Sequence, residues 1–200
     1  NLKANLEGAL DAAFGSGKIK VAFSGGQLSL STQGGATKLT VDHPTSGESG
    51  LAGLGLTSGA TNRISLSAAL SSIKDSFNTP LTFDAGGFAH FRINGEMITV
   101  KATDSLSKVM NTINNSKANV KISYSELSDK INIESKTLGA GDNLTLSDET
   151  GNFLSALLNA PPSVTNQGQD SEILLNGTDT IVRSTNTFTL SGVSYTLKKA

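Results

Sequence analysis

Cysteine and tryptophan are both missing from these 200 residues. With no thiol, a disulfide scaffold, a thiolate metal site and a cysteine nucleophile are all excluded. Stability has to come from the core or from assembly, and the absence of cysteine assigns no compartment. Charge is sparse, at 16% of residues, and nearly balanced, with a net charge of -1. No basic stripe exists for a phosphate backbone or an anionic lipid surface, so nucleic-acid and membrane partners are not expected. No run approaches the roughly 18 apolar residues of a membrane span, and no secretory signal is present. A chain beginning at Asn1 reads as a piece of a longer protein, with any targeting signal outside it.

What fills the gap is glycine, at 21 residues, with serine, threonine and asparagine; apolar content is only 36%. That mixture suits short strands joined by tight turns with hydroxylated faces in water. The expected fold class is α+β, mainly β: two small related β-rich domains, each with antiparallel hairpins and a short amphipathic helix.

Residues 2–14 repeat Leu2, Leu6, Leu10, Ala13 and Phe14 at helical spacing, and Gly15-Ser16-Gly17 ends the helix. Residues 18–30 alternate through Ile19, Val21, Phe23, Leu28 and Leu30 around a turn at Ser24-Gly25-Gly26, a hairpin pattern. Leu39 and Val41 predict a short strand, and a Gly-rich stretch follows over 47–59. Leu66, Leu70 and Ile73 predict a helix within 66–77, closed by Pro80. Asn94-Gly95 between alternating apolar residues is a strong hairpin signal, since a type I′ turn needs positive φ at both central positions. Asp104 is the expected N-cap of a helix burying Leu106, Val109, Met110 and Ile113. Strands are expected at 120–124, around Ile131 and Ile133, and at Leu144 and Leu146. A helical turn over 151–158 stops at Pro161-Pro162, residues 159–169 look like a linker, and hairpins with an Asn176-Gly177 turn close the chain.

The order of elements repeats. Lys18-Ile19-Lys20-Val21-Ala22-Phe23 matches Asn119-Val120-Lys121-Ile122-Ser123-Tyr124. Gln27-Leu28-Ser29-Leu30-Ser31 matches Lys130-Ile131-Asn132-Ile133-Glu134, and Lys38-Leu39-Thr40-Val41 matches Asn143-Leu144-Thr145-Leu146. A period of about 100 residues is too long for a solenoid and means two copies of one small domain. The expected division is a discontinuous domain A of 1–63 plus 168–200, with domain B, 64–165, inserted in it. The alternative is three sequential units, with the C-terminal hairpin packing on domain B.

Candidate chemistry is thin. His43 and His90 are the two histidines, and neither has ligand spacing. Asp148 and Glu149 are adjacent and would point to different faces of a strand, which is wrong for paired carboxylate chemistry. Asp84, Asp104, Asp129, Asp142 and Asp148 are explained by turn and cap duties. The glycines at 50–59 and 139–141 lack the Gly-Lys-Ser/Thr ending of a phosphate loop and the βαβ context of a dinucleotide fingerprint. The loop from Asp142 to Asp148 lacks the alternating ligands and central glycine of an EF-hand. Sequons occur at Asn114, Asn143 and Asn176; in a bacterial protein they would be chance matches, and Asn176 is better explained as a turn residue. No catalytic, cofactor-binding or metal residue is assigned, no cofactor is expected, and the chain is not expected to be an enzyme.

The run Phe91-Arg92-Ile93-Asn94-Gly95-Glu96-Met97-Ile98-Thr99-Val100, then Asp104-Ser105-Leu106, then Ile113-Asn114, resembles the flagellin/hook IN motif, named for its Ile-Asn dipeptide. Ala118-Asn119-Val120-Lys121-Ile122-Ser123-Tyr124 and Asp129-Lys130-Ile131 look like the hairpin that follows it. Gly168-Gln169-Asp170, Leu175-Asn176-Gly177 and Arg183-Ser184-Thr185-Asn186-Thr187-Phe188 resemble the segment returning to the coiled-coil legs of the flagellar filament cap (FliD) family, hook-associated protein 2. The resemblance covers 88–200; residues 1–63 share it only through the internal repeat.

It implies a structural component of the bacterial flagellar filament cap that assists flagellin polymerisation at the filament tip. It further implies an extracellular location reached by the flagellar type III pathway, flagellin as partner, and a ring-shaped homo-oligomer, a pentamer, in the full-length protein. This piece, lacking heptads, is expected to be monomeric. Host mucin or surface ligands are further expected partners. The alternatives are the outer variable region of another axial protein, flagellin or a hook-filament junction protein, and a surface adhesin. A sugar-binding adhesin would want exposed aromatics, and aromatics are only 5% of the chain.

Overall fold

The structure, a computed structural model, describes residues 2–24, 27–33, 38–43 and 50–198. The expected turn at Gly25-Gly26, Pro44, and the 47–49 part of the Gly-rich stretch lie outside the described residues. The chain falls into two compact units. The first holds Asn1–Ile64 with Tyr124–Lys130, the second Ser65–Ser123 with Ile131–Ala200.

In the first unit, α1 (Leu2–Phe14) leads into an antiparallel hairpin of β1 (Ile19–Ser24) and β2 (Gln27–Thr32). Gly15 and Gly17, at φ 98 and 70, turn the chain between them, and Asp11 Oδ1 accepts the Gly17 N–H at 2.8 Å. Ile19, Val21 and Leu28 are buried, as the alternation requires. The helix is shallower than its spacing suggested. None of its residues is buried, and Leu2 and Phe14 are 55% and 62% exposed. The strand expected at Leu39 and Val41 shrinks to β3 (Thr40–Val41), paired with β4 (Ala60–Thr61). Leu39 instead donates its N–H to Asn62 Oδ1 at 2.8 Å.

The second unit is built on a four-stranded antiparallel sheet in the order β10-β9-β5-β6: β5 (Phe88–Ile93), β6 (Glu96–Lys101), β9 (Gly141–Thr150) and β10 (Ser163–Gly168). Between β6 and β9 the chain forms α3 (Leu106–Asn114) and the hairpin β7 (Val120–Ser125)–β8 (Lys130–Ser135). The tip of that hairpin groups with the first unit. Ala89, Phe91 and Ile93 of β5 point to one face and are fully buried, with Ile98 and Val100 of β6 beside them in register. Leu106, Val109 and Ile113 bury the apolar stripe of α3, while Met110 is only half-buried. α4 (Phe153–Leu158) adds Phe153, whose ring stacks on Phe91 at 4.9 Å between centroids.

Three expectations need correction here. The helix expected within 66–77 is only α2 (Leu70–Ile73), followed by one 3-10 turn, Lys74–Ser76. The segment before it is held from outside: Leu66 accepts from Ser107 and Ala69 bridges to Ser105, while Leu70 and Ser71, which open α2, donate to the carbonyls of Asp104 and Ala102. Those external partners win over a local helix. The linker expected over 159–169 contains β10, paired with β9. Its sequence shows no apolar alternation because it is an edge strand with wet faces. Asp104 is not the N-cap of α3; Ser105 is, its side chain accepting from the Lys108 N–H at 3.3 Å.

The C-terminal region forms two separate hairpins, β11 (Ser171–Leu175)–β12 (Asp179–Arg183) and β13 (Thr187–Leu190)–β14 (Val193–Thr196). Residues 168–198 group with the second unit. There Ala140 donates its N–H to Asp170 Oδ1 at 2.7 Å, and a Cβ placed on Gly139 would sit 2.5 Å from Ser184 Cβ. Among the described residues from 159 to 198, none is buried. The two repeat copies thus agree in element order but differ in depth. α3 buries three residues where α1 buries none, and β9 is a ten-residue central strand where β3 has two residues.

Candidate interaction surface

Two asparagines position this surface. Asn94 and Gly95 take φ 50 and 81, the pair of positive angles that the two-residue β5–β6 turn needs. From that turn Asn94 reaches two segments, β9 and the loop before β7. Its Oδ1 accepts the Thr145 N–H at 2.8 Å, and its Nδ2 donates to the carbonyls of Ala118 at 2.8 Å and Asn143 at 3.3 Å. Asn114, at the end of α3, accepts the Ile122 N–H at 2.8 Å and donates to the Ile122 carbonyl at 3.0 Å. An amide side chain stands in for the backbone of a neighbouring strand, and it closes α3 onto β7. Ile113, next to it, is fully buried. The Ile-Asn dipeptide therefore joins a core anchor to a backbone clamp.

With the hairpin and α3 fixed, β6 is left at the edge of the sheet. A shallow groove of about 760 Å3 runs between its edge and the flank of α3. Glu96, Met97 and Thr99 lie on the strand side, and Lys108, Asn111 and Asn115 on the helix side. Met97 is 42% exposed.

The solvent face of the same hairpin holds the one histidine cluster of the second unit. His90 Nδ1 lies 2.9 Å from Thr99 Oγ1, and His90 Nε2 lies 3.7 Å from Asp84 Oδ2. Phe88 stacks beside His90, with the Lys101 ammonium 5.6 Å above its ring. A hydroxyl, an imidazole and a carboxylate in line invite a catalytic reading. The carboxylate is beyond hydrogen-bond reach of the ring, and it already accepts the N–H groups of Gly86 and Phe88 through Oδ1. The arrangement locks the edge of the hairpin.

The other carboxylates singled out by sequence do not converge. Asp148 accepts the N–H groups of Leu154 and Ser155 at 2.8 and 3.0 Å, capping α4 from the neighbouring strand, while Glu149 pairs with Arg92 Nε at 3.2 Å. Asp129 sits in a turn at φ 52 and receives the Tyr124 hydroxyl at 2.6 Å. Burial, that hydrogen bond and the Asp129 charge together push the Tyr124 phenol far up. Asp142, expected in a turn, lies within β9 and accepts from Gln167. Asp104 accepts the Lys101 N–H at 3.0 Å and the Lys108 ammonium at 2.6 Å. Burial works to raise its carboxyl, but these bonds and the two ammonium charges outweigh it and hold the group below its ordinary value. His43 lies in the loop after β3, its N–H on Asp42 Oδ1. The Ser58 hydroxyl and that N–H draw the Asp42 carboxyl down. Glu126 is lowered by Lys38, 2.5 Å away in the first unit.

Of the sequon asparagines, Asn114 is the backbone clamp, Asn143 donates to the Gly139 carbonyl at 2.6 Å, and Asn176 takes the φ 51 of a hairpin turn. The Gly run at 50–59 carries a 3-10 turn, Ala52–Leu54, ended by Gly55 at φ 72. Among the described residues no three His, Asp or Glu side chains gather as a metal site, and no helix is long and apolar enough to cross a membrane. Sequence reading missed the backbone-clamping roles of Asn62, Asn94 and Asn152. Asn152 holds the Thr82 N–H and the Pro80 carbonyl at 2.8 and 2.9 Å.

Among the described residues the chain is thus mainly β, with several antiparallel hairpins, one four-stranded sheet and four short helices. No protein-family model and no curated protein matches it. Among solved structures it is similar to the D2-D3 domains of the flagellar cap protein FliD from Escherichia coli. Identity is 22%, with 60% of this chain and 72% of that chain covered, at a TM-score of 0.42.

Proposed function

We propose that the chain is a non-catalytic structural part of a bacterial flagellar filament cap, which assists flagellin polymerisation at the filament tip. In this reading the protein is exported by the flagellar type III pathway, acts outside the cell, contacts flagellin, and works as a ring of copies of the full-length protein. One observation carries the reading: the Ile113-Asn114 dipeptide, which gives the IN motif its name, is the joint of the second unit. Ile113 is fully buried and Asn114 clamps the backbone of Ile122. The residues from 91 to 123 that resemble the IN motif and the start of the hairpin after it thereby belong to one built unit, with β5, β6, α3 and most of β7, rather than to a scattered string of matches.

The test is complementation in a motile strain, with the regions encoding 1–64 and 65–198 deleted separately and together from the full-length gene. Short filaments with flagellin released into the medium support the cap reading. Normal filaments with lost surface attachment favour the second reading, an adhesive module. The observation behind that second reading is the half-buried stack of Phe188 on Tyr195, centroids 5.3 Å apart, with Arg183 5.4 Å from the Phe188 ring. Flat aromatic surfaces of this kind stack on ligands.

A further inference from the structure

The two edges of the four-stranded sheet are treated differently. β10 is blunted. Pro161 and Pro162 precede it, a bulge interrupts its pairing between Asn166 and Gln167, and it holds one apolar side chain, Val164. These are devices that keep an edge from pairing with another chain. β6 has none of them. Its pairing with β5 runs unbroken from Glu96 to Lys101, and its centre is Met97-Ile98-Thr99-Val100, residues that favour strands.

The register says which backbone groups β6 leaves open. In a two-residue hairpin the residues flanking the turn, Ile93 and Glu96, form a hydrogen-bonded pair, and the alternation sends the N–H and C=O of Glu96, Ile98 and Val100 toward β5. Those of Met97, Thr99 and Lys101 point away. Lys101 is already satisfied by Asp104, whose side chain accepts its N–H and whose N–H donates to its carbonyl. Among the described residues no hydrogen bond reaches the outward N–H and C=O of Met97 or Thr99. Two donors and two acceptors thus alternate along the edge, beside the groove whose far wall is Lys108, Asn111 and Asn115 of α3.

Charge gives the groove a direction. Glu96 stands at the turn end and makes no ion pair among the described residues, while Lys101 and Lys108 outnumber Asp104 at the other end. We infer that the β6 edge is a strand-addition site for an extended segment of a partner polypeptide. The segment runs antiparallel to β6, with an acidic residue near its N-terminal end and a basic one near its C-terminal end. Main-chain hydrogen bonds to Met97 and Thr99 supply the attachment, and the end charges set the direction. Alternate side chains of the segment face the polar flank of α3.

The probe is a fluorescently labelled peptide, acetyl-Glu-Thr-Val-Thr-Val-Lys-amide, titrated with the full chain at low ionic strength and read by anisotropy. Laid antiparallel on β6, its two valines face Thr99 and Met97 and direct their N–H groups at the edge, while the threonine N–H groups point away. Saturable binding is expected. N-methylation of both valines weakens it at least about tenfold, the loss of two main-chain bonds, whereas N-methylation of both threonines leaves it unchanged. Exchanging the terminal Glu and Lys weakens it about threefold to tenfold. Thr99→Pro removes an outward N–H at an edge position where proline is tolerated and weakens binding of the parent peptide. The inference is overturned by no saturable binding up to about 1 mM, by equal affinity of the two methylated peptides, or by an indifferent exchange of the end charges. Because the methylated peptides leave the protein untouched, the result stands even where Thr99→Pro fails to fold.

Discussion

Asn114 and Ile122 exchange two hydrogen bonds, at 2.8 and 3.0 Å, through one side-chain amide and one backbone unit. The pair joins the end of α3 to β7 without a second strand. Asn114→Leu leaves the Ile122 N–H and carbonyl without partners in a partly buried place. Two lost bonds, with desolvation left uncompensated, destabilise the second unit by about 2–4 kcal/mol. Urea unfolding followed by circular dichroism reads this as a lower midpoint at unchanged slope. A variant as stable as the parent would contradict the clamping role of this amide.

Phe91 and Phe153 carry the packing of α4 on the sheet, with relative exposures of 0% and 1%. Phe153→Ala opens a cavity beneath the stacked pair and costs about 3–5 kcal/mol. Phe91→Ala costs a similar amount. The double variant is expected to lose less than the sum of the two, since both single changes break one contact. A thermal double-mutant cycle measures the coupling.

Gly151 has φ 77, and a Cβ there would overlap the Thr82 carbonyl oxygen. Alanine meets a left-handed backbone and an immovable main-chain atom at once. Gly151→Ala is expected to destabilise by more than the roughly 1 kcal/mol typical of a residue forced into that conformation. Gly177→Ala, at φ 78 in open space, shows the backbone cost alone. Comparing the two melting temperatures separates the clash from the strain.

Asp104 supplies an acid-side dependence. Its carboxyl is held below its ordinary value in the folded chain, so it contributes stability above the unfolded carboxylate pKa of about 3.9. That contribution is lost as pH falls through the folded value. Asp104→Asn is therefore expected to cost up to about 1 kcal/mol at neutral pH, the range for a partner as exposed as Lys108. The difference from the parent closes only once pH has fallen through that lowered folded value. Stability measured by urea midpoints between those limits tests the sign; a gap that widens on acidification contradicts it.

The core elements of the second unit were legible because period and burial coincide there. Ala89, Phe91 and Ile93 alternate, Leu106, Val109 and Ile113 repeat at helical spacing, and Asn94-Gly95 marks the turn. Legibility failed where tertiary partners override local pattern. Leu66 looks helical, yet its carbonyl is taken by Ser107 and α2 begins only at Leu70. β10 hides in a polar string because none of its side chains is buried, unlike the other edge strand, β6. The periodicity of α1 is genuine, but amphipathicity alone does not say how deeply a helix sinks. The candidate surface was half legible. The Ile-Asn dipeptide could be read as a motif, but its clamp on Ile122 depends on a strand eight residues away. The vacant donors of β6 depend on which strand ends the sheet.

From Asn159 to Lys198 no side chain is buried. Hairpins of that kind are tied to the rest through turns, edges and a few main-chain contacts. Most polar exchanges on them therefore cost within about 0.5 kcal/mol. Their exposed positions can drift while the buried face of the four-stranded sheet stays unaltered. Outside β10 and the contacts of Gly168, Asp170 and Ser184, the stretch is evolutionary free ground, on which new surface chemistry can arise at little cost to the fold.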